Sequence, residues 1–254
     1  MSKMNFMDEK IKQAVDIITK SKNAIVYTGA GISVESGIPP FRGDDGLWNK
    51  YNPKYIELDY FFANPYKSWI VIKEIFYDFF GNAKPNAAHI GLAEMEKMGW
   101  IKAIVTQNID NLHTDAGSKE VYEFHGNSRE LVCIKDKSRY KISDIDLDVL
   151  PPKCEICGEV LKPDFIFFGE QIPVVAYQKS FEAAQNCDVV IVVGSTGEVV
   201  PAAYVPQLAK QNGAYVIEIN PKKSHFTNSI TDLFLQGKAS EVIAKMSNQL
   251  KINK

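Results

Sequence analysis

Hydrophobic positions near the start of the chain recur at helical spacing. Ile11, Ala14, Val15 and Ile18 share one face, which predicts an amphipathic helix over residues 8–20. The next apolar residues are contiguous instead. Ala24-Ile25-Val26-Tyr27 reads as a short buried strand that runs into a Gly-rich turn, Thr28-Gly29-Ala30-Gly31. A strand followed by such a turn is how nucleotide-binding α/β domains begin. A second strand of this kind comes only at Lys102-Ala103-Ile104-Val105-Thr106. Between the two, the Pro- and aromatic-rich stretch 38–65 reads as loop and 66–80 as helical. A further helix is predicted over 87–98, where Ala88, Leu92 and Met95 lie at i, i+4 and i+7 and Gly99 is a natural stop.

The C-terminal third is regular. Helix (175–186), strand (Asp188 to Val193), a Gly-Ser-Thr turn, helix (201–211) and strand (Tyr215 to Ile219) follow in order. A last helix carries Ala239, Val242, Ile243, Met246 and Leu250 on one face. Val/Ile-rich strands alternating with helices imply a parallel sheet covered on both sides. The expected fold is therefore α/β. A Rossmann-like parallel sheet takes residues 1–37, 86–126 and 170–254. A smaller lobe is inserted as two segments, a helical module over 38–85 and a polar, cysteine-bearing module over 127–169.

Composition narrows the setting. The 254 residues are 45% hydrophobic, enough for a sizeable core. Lys+Arg 29 against Asp+Glu 31 gives a net charge of -2, which argues against a chain built to coat nucleic acid. Residues Met1 to Lys12 show no apolar leader, and the longest apolar run, Val189 to Val193, suits a buried strand rather than a membrane span. Four cysteines in this length are no disulfide scaffold. With no export signal the expected setting is the reducing cytoplasm, where a CxxC pair suggests metal or redox chemistry.

The Gly-rich turn extends as Gly29-Ala30-Gly31-Ile32-Ser33-Val34-Glu35-Ser36-Gly37. Its glycines allow backbone to approach a diphosphate, and the N-terminus of a following helix would favour anions. Valine stands at position 34, where a dehydrogenase fingerprint needs its third glycine, and no second strand with a ribose-binding acid follows. Hydride transfer is disfavoured. Taken alone, the motif also reads as a structural tight turn. It continues into Ile38-Pro39-Pro40-Phe41-Arg42-Gly43 and Gly46-Leu47-Trp48. Thr106-Gln107-Asn108-Ile109-Asp110-Asn111-Leu112-His113 then follows a strand, and His125-Gly126 lies beyond it.

Together these segments resemble the signatures of the sirtuin (Sir2-like) family, GAG-x-S-x-x-SGIP-x-FRG, TQN-x-D-x-LH and HG. The resemblance covers about residues 8–250. It implies an NAD-dependent protein-lysine deacylase that transfers the acyl group to ADP-ribose and releases nicotinamide. Gly29, Ala30, Gly31, Ser33, Phe41 and Arg42 would contact NAD. Asn108 and Asp110, with the Ile109 backbone, would hold the nicotinamide carboxamide, whose donor and acceptor need partners of both kinds. Asp110 also reads as a helix cap. Gln107 would bond the ribose. His125 would be the general base, since an imidazole titrating near neutrality can take a proton from a ribose hydroxyl. By that implication nicotinamide leaves as the substrate amide oxygen attacks the anomeric carbon, and His125 acts afterwards. Asn108 and His125 are thus the catalytic candidates; His113 reads as structural.

Further NAD contacts implied by the resemblance are Gly194-Ser195-Thr196, where the family usually has Gly-Thr-Ser, then Asn220 and Pro221, and Lys238 and Ala239. Phe167-Phe168-Gly169 and Glu198-Val199-Val200 resemble two loops that clasp a substrate peptide as an added strand, though both also read as ordinary joints. Ile72 and Ile75 fall where carboxylate-removing members carry Tyr and Arg, which implies acetyl or longer aliphatic acyl groups. The same two residues also read as core packing. The family's two CxxC pairs make a zinc-ribbon-like site. Here Cys154 and Cys157 are intact, but Cys133 is followed by Asp136 in place of the second cysteine. Either a Cys3Asp zinc site or loss of zinc follows. Cys187 reads as core. Expected partners are acylated-lysine proteins or peptides, with no nucleic acid and no membrane. Mono-ADP-ribosyl transfer and an idle NAD or ADP-ribose sensor are the alternatives; His125, Asn108 and Asp110 speak against the sensor.

Overall fold

The computed structural model describes residues 6–43 and 46–253; residues 1–5, which open the expected 1–37 segment, lie outside it. The strands are β1 (Ala24–Thr28), β2 (Ala103–Thr106), β3 (Val121–Glu123), β4 (Gly126–Cys133), β5 (Arg139–Lys141), β6 (Leu161–Phe165), β7 (Val189–Val193), β8 (Tyr215–Asn220) and β9 (Leu233–Gln236). The α-helices are α1 (Phe6–Lys20), α2 (Leu47–Lys50), α3 (Leu58–Ala63), α4 (Pro65–Ile72), α5 (Ala87–Lys97), α6 (Leu112–Asp115), α7 (Val174–Asn186), α8 (Tyr204–Gln211) and α9 (Ala239–Ile252).

Six strands form one sheet in the order β3-β2-β1-β7-β8-β9, all pairs parallel. Alternation within each buried strand divides its side chains between two cores. Val26 of β1 and Ile191 of β7 face the cluster made with Ile11 and Ile18 of α1, Leu92 and Met95 of α5, and Ile243 and Leu250 of α9. Their neighbours Ile25 and Val190 face the opposite cluster, with Ala184 of α7 and Val205 and Ala209 of α8. This is why continuous runs such as Val189–Val193 are apolar at every position: both faces are covered. Each such side chain contributes roughly 1.5–3 kcal/mol on burial. No helix among the described residues is long and apolar enough to cross a membrane.

The inserted part is built from α2–α4 and a three-stranded antiparallel sheet, β5-β4-β6. One core joins them, with Phe61, Trp69, Phe76, Phe165 and Phe167 at its centre. The buried indole of Trp69 donates to the Leu161 carbonyl at 2.8 Å, tying helix to strand.

Several elements differ from expectation. The stretch 38–65 is not loop but carries α2, a 3-10 turn over Pro53–Ile56 and α3. Asn52 caps that turn by accepting from Lys54 N at 3.0 Å, and Pro53 stands at its start, so short turns form where no long apolar period exists. The helical stretch starts at Pro65, and its α form ends at Ile72, giving way to a π-helical segment over Lys73–Phe79. No α-helix follows the Gly-rich turn. Two 3-10 turns, Ala30–Ile32 and Val34–Ser36, take its place and stop at Gly37, whose φ is 89°, ahead of Pro39 and Pro40. The helix expected from 201 begins at Tyr204. Strands β3 and β9 and helix α6, three or four residues each, are too short to show in the hydrophobic pattern.

Candidate active site

The carboxyl ends of β2, β1, β7 and β8 meet where the strand order runs both ways from β1 and β7, the place where open α/β sheets hold ligands. Glycine matters here for backbone contact. A Cβ on Gly31 would stand 2.7 Å from Gly194 Cα and O, and one on Gly194, whose φ is 63°, would stand 2.4 Å from Ile32 N. Gly31 N–H donates to the Gly194 carbonyl at 2.8 Å, and Gly29 N–H to Val193 O at 3.0 Å. The turns after β1 and β7 are therefore locked to each other, main chain on main chain. The space that the glycines open is filled by protein at these atoms, as a structural tight turn requires.

Ser33, fully buried, links this turn to the loop after β2. Its hydroxyl donates to Asp110 Oδ2 at 2.6 Å, and Asn108 Nδ2 reaches Ser33 Oγ and the Gly29 carbonyl, each at 3.2 Å. Asp110 Oδ1 accepts from Leu112 N, the first N–H of α6, at 3.0 Å, although the cap position itself belongs to Asn111. Burial pushes the Asp110 carboxyl above its ordinary value, against the pull of these bonds. Asn108, Ile109 and Asp110 close a narrow crevice whose other walls are Ala30, Ile38, Phe41 and Phe80. Of these, Ile38 and Phe80 were missed: Ile38 sits inside the Gly-rich motif, but Phe80 has no local signal.

His125 stands next to this loop. Its Nδ1 lies 3.0 Å from the Gln107 carbonyl, which can only accept, so the ring proton sits on Nδ1 and Nε2 is left with its lone pair. Burial lowers the imidazole pKa below its ordinary value of 6.5, and the Gln107 bond opposes this. Gln107 Nε2 donates to Ser195 Oγ at 3.1 Å, joining the loops after β2 and β7. Ser195 is buried, while Thr196 is exposed and its hydroxyl reaches Glu198 at 3.4 Å. Asn220 donates to the Ser195 carbonyl at 3.0 Å, and Gln236 to that of Pro221 at 3.2 Å. Arg42 and Lys238 are exposed, and Ala239 opens α9 as a buried residue.

Other histidines lie beneath. His113 Nε2 pairs with Thr28 Oγ1 at 2.9 Å, and its ring meets that of His89 at 4.9 Å. Both are buried, which pushes the His89 pKa down to about 4 and lowers that of His113 as well.

The Phe167–Gly169 loop is fixed on one side. Phe168 N–H donates to Ile56 O at 2.9 Å and Leu58 N–H to Phe168 O at 3.0 Å. Phe168 is exposed, as are Glu198 and Val200; Phe167 is buried. Ile72 and Ile75 are fully packed in the core of the insert, at 0% and 1% exposure, and do not border the crevice.

In the cysteine-bearing module, Cys133, Asp136, Cys154 and Cys157 bring their ligand atoms within 4.8 Å of one another. The Cys133 and Cys157 sulfurs are 3.5 Å apart, and Cys154 Sγ is 3.4 Å from Asp136 Oδ2. A tetrahedron with metal–sulfur bonds of about 2.3 Å has edges of roughly 3.8 Å, so three thiols and a carboxylate suit zinc. Cys187 is buried apart, donating to the Ala184 carbonyl at 3.4 Å.

Comparison with known proteins identifies the family. Residues 29–201 match the Sir2 family. An NAD-dependent protein deacylase of Pyrococcus furiosus is 45% identical over 245 residues, covering 92% of this chain and 96% of that one. A Sir2 homologue solved as an NAD complex superposes with a TM-score of 0.88 at 38% identity, covering 95% of this chain and 94% of the other. A Sir2 complex with p53 peptide and NAD+ gives 0.87 at 33%, covering 95% and 99%.

Proposed function

The chain belongs to the Sir2 family and is an NAD-dependent protein-lysine deacylase; on that premise we propose which residues do the work and which acyl groups it removes. NAD is consumed, its glycosidic bond supplying the electrophile that accepts the acyl oxygen. The observation that carries the assignment is His125, whose proton is fixed on Nδ1 by the Gln107 carbonyl so that Nε2 is free to accept one.

Asn108 and Asp110 hold the nicotinamide carboxamide at the closed end of the crevice, and Ile38, Phe41, Phe80 and Ile109 give it apolar walls. The turns holding Gly29, Ala30, Gly31 and Ser33, together with Phe41, Arg42, Gln107, Gly194, Ser195, Thr196, Asn220, Pro221, Lys238 and Ala239, take the rest of the dinucleotide. His125 removes a proton from a ribose hydroxyl once nicotinamide has left. Phe167–Gly169 and Glu198–Val200 clasp an acyl-lysine peptide as an added strand. The large domain comprises 1–37, 86–126 and 170–254, with 38–85 and 127–169 as its insert. Cys133, Asp136, Cys154 and Cys157 would hold zinc, which would cross-link the loops of the antiparallel sheet. None of the four cysteines is in a disulfide, which suits a reducing cytoplasm.

The acyl groups removed are acetyl or longer aliphatic chains. Ile72 and Ile75, both apolar and buried, stand where carboxylate-removing members carry Tyr and Arg, and neither can pair with a charged acyl end. A carboxylated acyl end buried there would lack a partner, at a cost of several kcal/mol. The test compares kcat/KM on acetyl, myristoyl and succinyl forms of one peptide. Succinyl should be the poorest; succinyl as the best would overturn the reading.

A further inference from the structure

Arg129 binds no ligand in the proposed site, yet it bonds residues that adjoin both halves of it. Its guanidinium forks onto Glu123, with Nη1 pairing with Oε1 and Nη2 reaching Oε2 at 2.6 Å. Nη1 also donates to Asn111 Oδ1 at 3.2 Å. Asn111 in turn donates from Nδ2 to Ser128 Oγ at 2.9 Å, and Ser128 N–H donates to the Ile109 carbonyl at 3.1 Å. Glu123 ends β3 two residues before His125, and Asn111 directly follows Asp110. One side chain is thus tied both to the segment that carries the base and to the loop that closes the crevice.

Two features make the bridge specific. Asn111 holds a left-handed backbone, φ 66°, which places its amide between Arg129 and Ser128. Glu123 is mostly shielded, its side chain 15% exposed against 41% for Arg129, so the fork is partly withdrawn from water. A planar fork that meets a carboxylate with two nitrogens and still reaches an amide cannot be reproduced by the single ammonium of lysine.

We propose that Arg129 is a positioning residue that, by bridging Glu123 and Asn111, fixes His125 relative to the Asn108–Asp110 loop. This rests on the reading of His125 and that loop as the two working halves of the site. Arg129 touches neither substrate nor NAD in this account. Misplacement of a working group by about 1 Å costs on the order of 100-fold. The loop acts on nicotinamide before His125 acts on the ribose, so loosening the bridge slows deacylation more than nicotinamide exchange.

The experiment uses the full chain carrying Arg129→Lys and, separately, Asn111→Gly. The glycine keeps the left-handed backbone and deletes the amide. Three readouts are taken: deacylation of an acetyl-lysine peptide, peptide-dependent exchange of labelled nicotinamide into NAD, and Tm. Both variants should lose deacylation by roughly 10- to 100-fold while exchange stays within about threefold and Tm barely moves. If Arg129→Lys does not fold, Asn111→Gly decides alone. An unchanged ratio of deacylation to exchange in Asn111→Gly overturns the proposal, whether both rates hold or both fall together. Failure of the underlying reading looks different: His125→Ala, assayed alongside, would then keep near-normal deacylation.

Discussion

At the scale of single residues, His125 shows how an ordinary side chain is prepared for one task. The Gln107 carbonyl decides which nitrogen holds the proton, and burial lowers the pKa below 6.5. The neutral form is the working form, so activity should fall only as pH drops below the ordinary histidine value, with the acid limb of kcat displaced to lower pH. His125→Ala should lower turnover by roughly 100-fold or more while NAD still binds, checked by steady-state rates and calorimetric titration. Near-normal deacylation by that variant would remove His125 from its role. The His-Gly step is visible in the sequence; its partner at the Gln107 carbonyl is not, because that contact depends on β2 and β3 lying side by side. The glycines tell the same story. Gly29 and Gly31 stand out in the chain, but their close neighbour Gly194 is brought to them only by the pairing of β1 with β7.

At the scale of elements, what the sequence reveals depends on burial on two faces or one. Strands β1, β2 and β7, buried at every position, announce themselves as apolar runs. Edge strand β3 has three half-buried residues, and β9 alternates buried with more exposed positions over four, too short for a period to show. The π-helical segment after Ile72 is likewise invisible in a 3.6-residue pattern. The cysteine-bearing module is a third case. The family resemblance names all four positions in the sequence, Asp136 standing where a cysteine is usual, and the fold brings them to one point. Protein purified without added zinc should hold close to one equivalent, and Asp136→Cys should release metal to a competing chelator more slowly, since thiolate is the softer ligand. Well under one equivalent by elemental analysis would count against the site, as would faster release from the variant.

At the scale of the whole molecule, the buried histidine pair links stability to pH. Burial lowers the folded-state pKa of His89 from 6.5 to about 4. An unfolded chain takes up a proton there first, so the stability that neutral His89 contributes is complete above about pH 6.5 and is lost as pH falls toward 4. Tm should decline across that window, and His89→Gln should flatten the decline; an equally steep fall in the variant would assign it elsewhere. Asp110, whose carboxyl is shifted upward by burial, works in the opposite sense and blunts the loss. The central strands of the parallel sheet were legible because they are apolar at every position, and its long helices because they show a period, whereas the short β3, β9 and α6 were not. The insert was not, since aromatic contacts such as Phe76 on Phe165, 4.7 Å apart, join segments nearly ninety residues distant in the chain. The central claim is that an acyl group leaves lysine for ADP-ribose at this crevice. It is tested most directly by incubating the protein with NAD and an acetyl-lysine peptide and quantifying every product by mass spectrometry. Nicotinamide, free-lysine peptide and acetylated ADP-ribose should appear in equal amounts, with nicotinamide release dependent on the peptide. Free acetate formed without loss of NAD, or nicotinamide released equally fast with no peptide present, would contradict it.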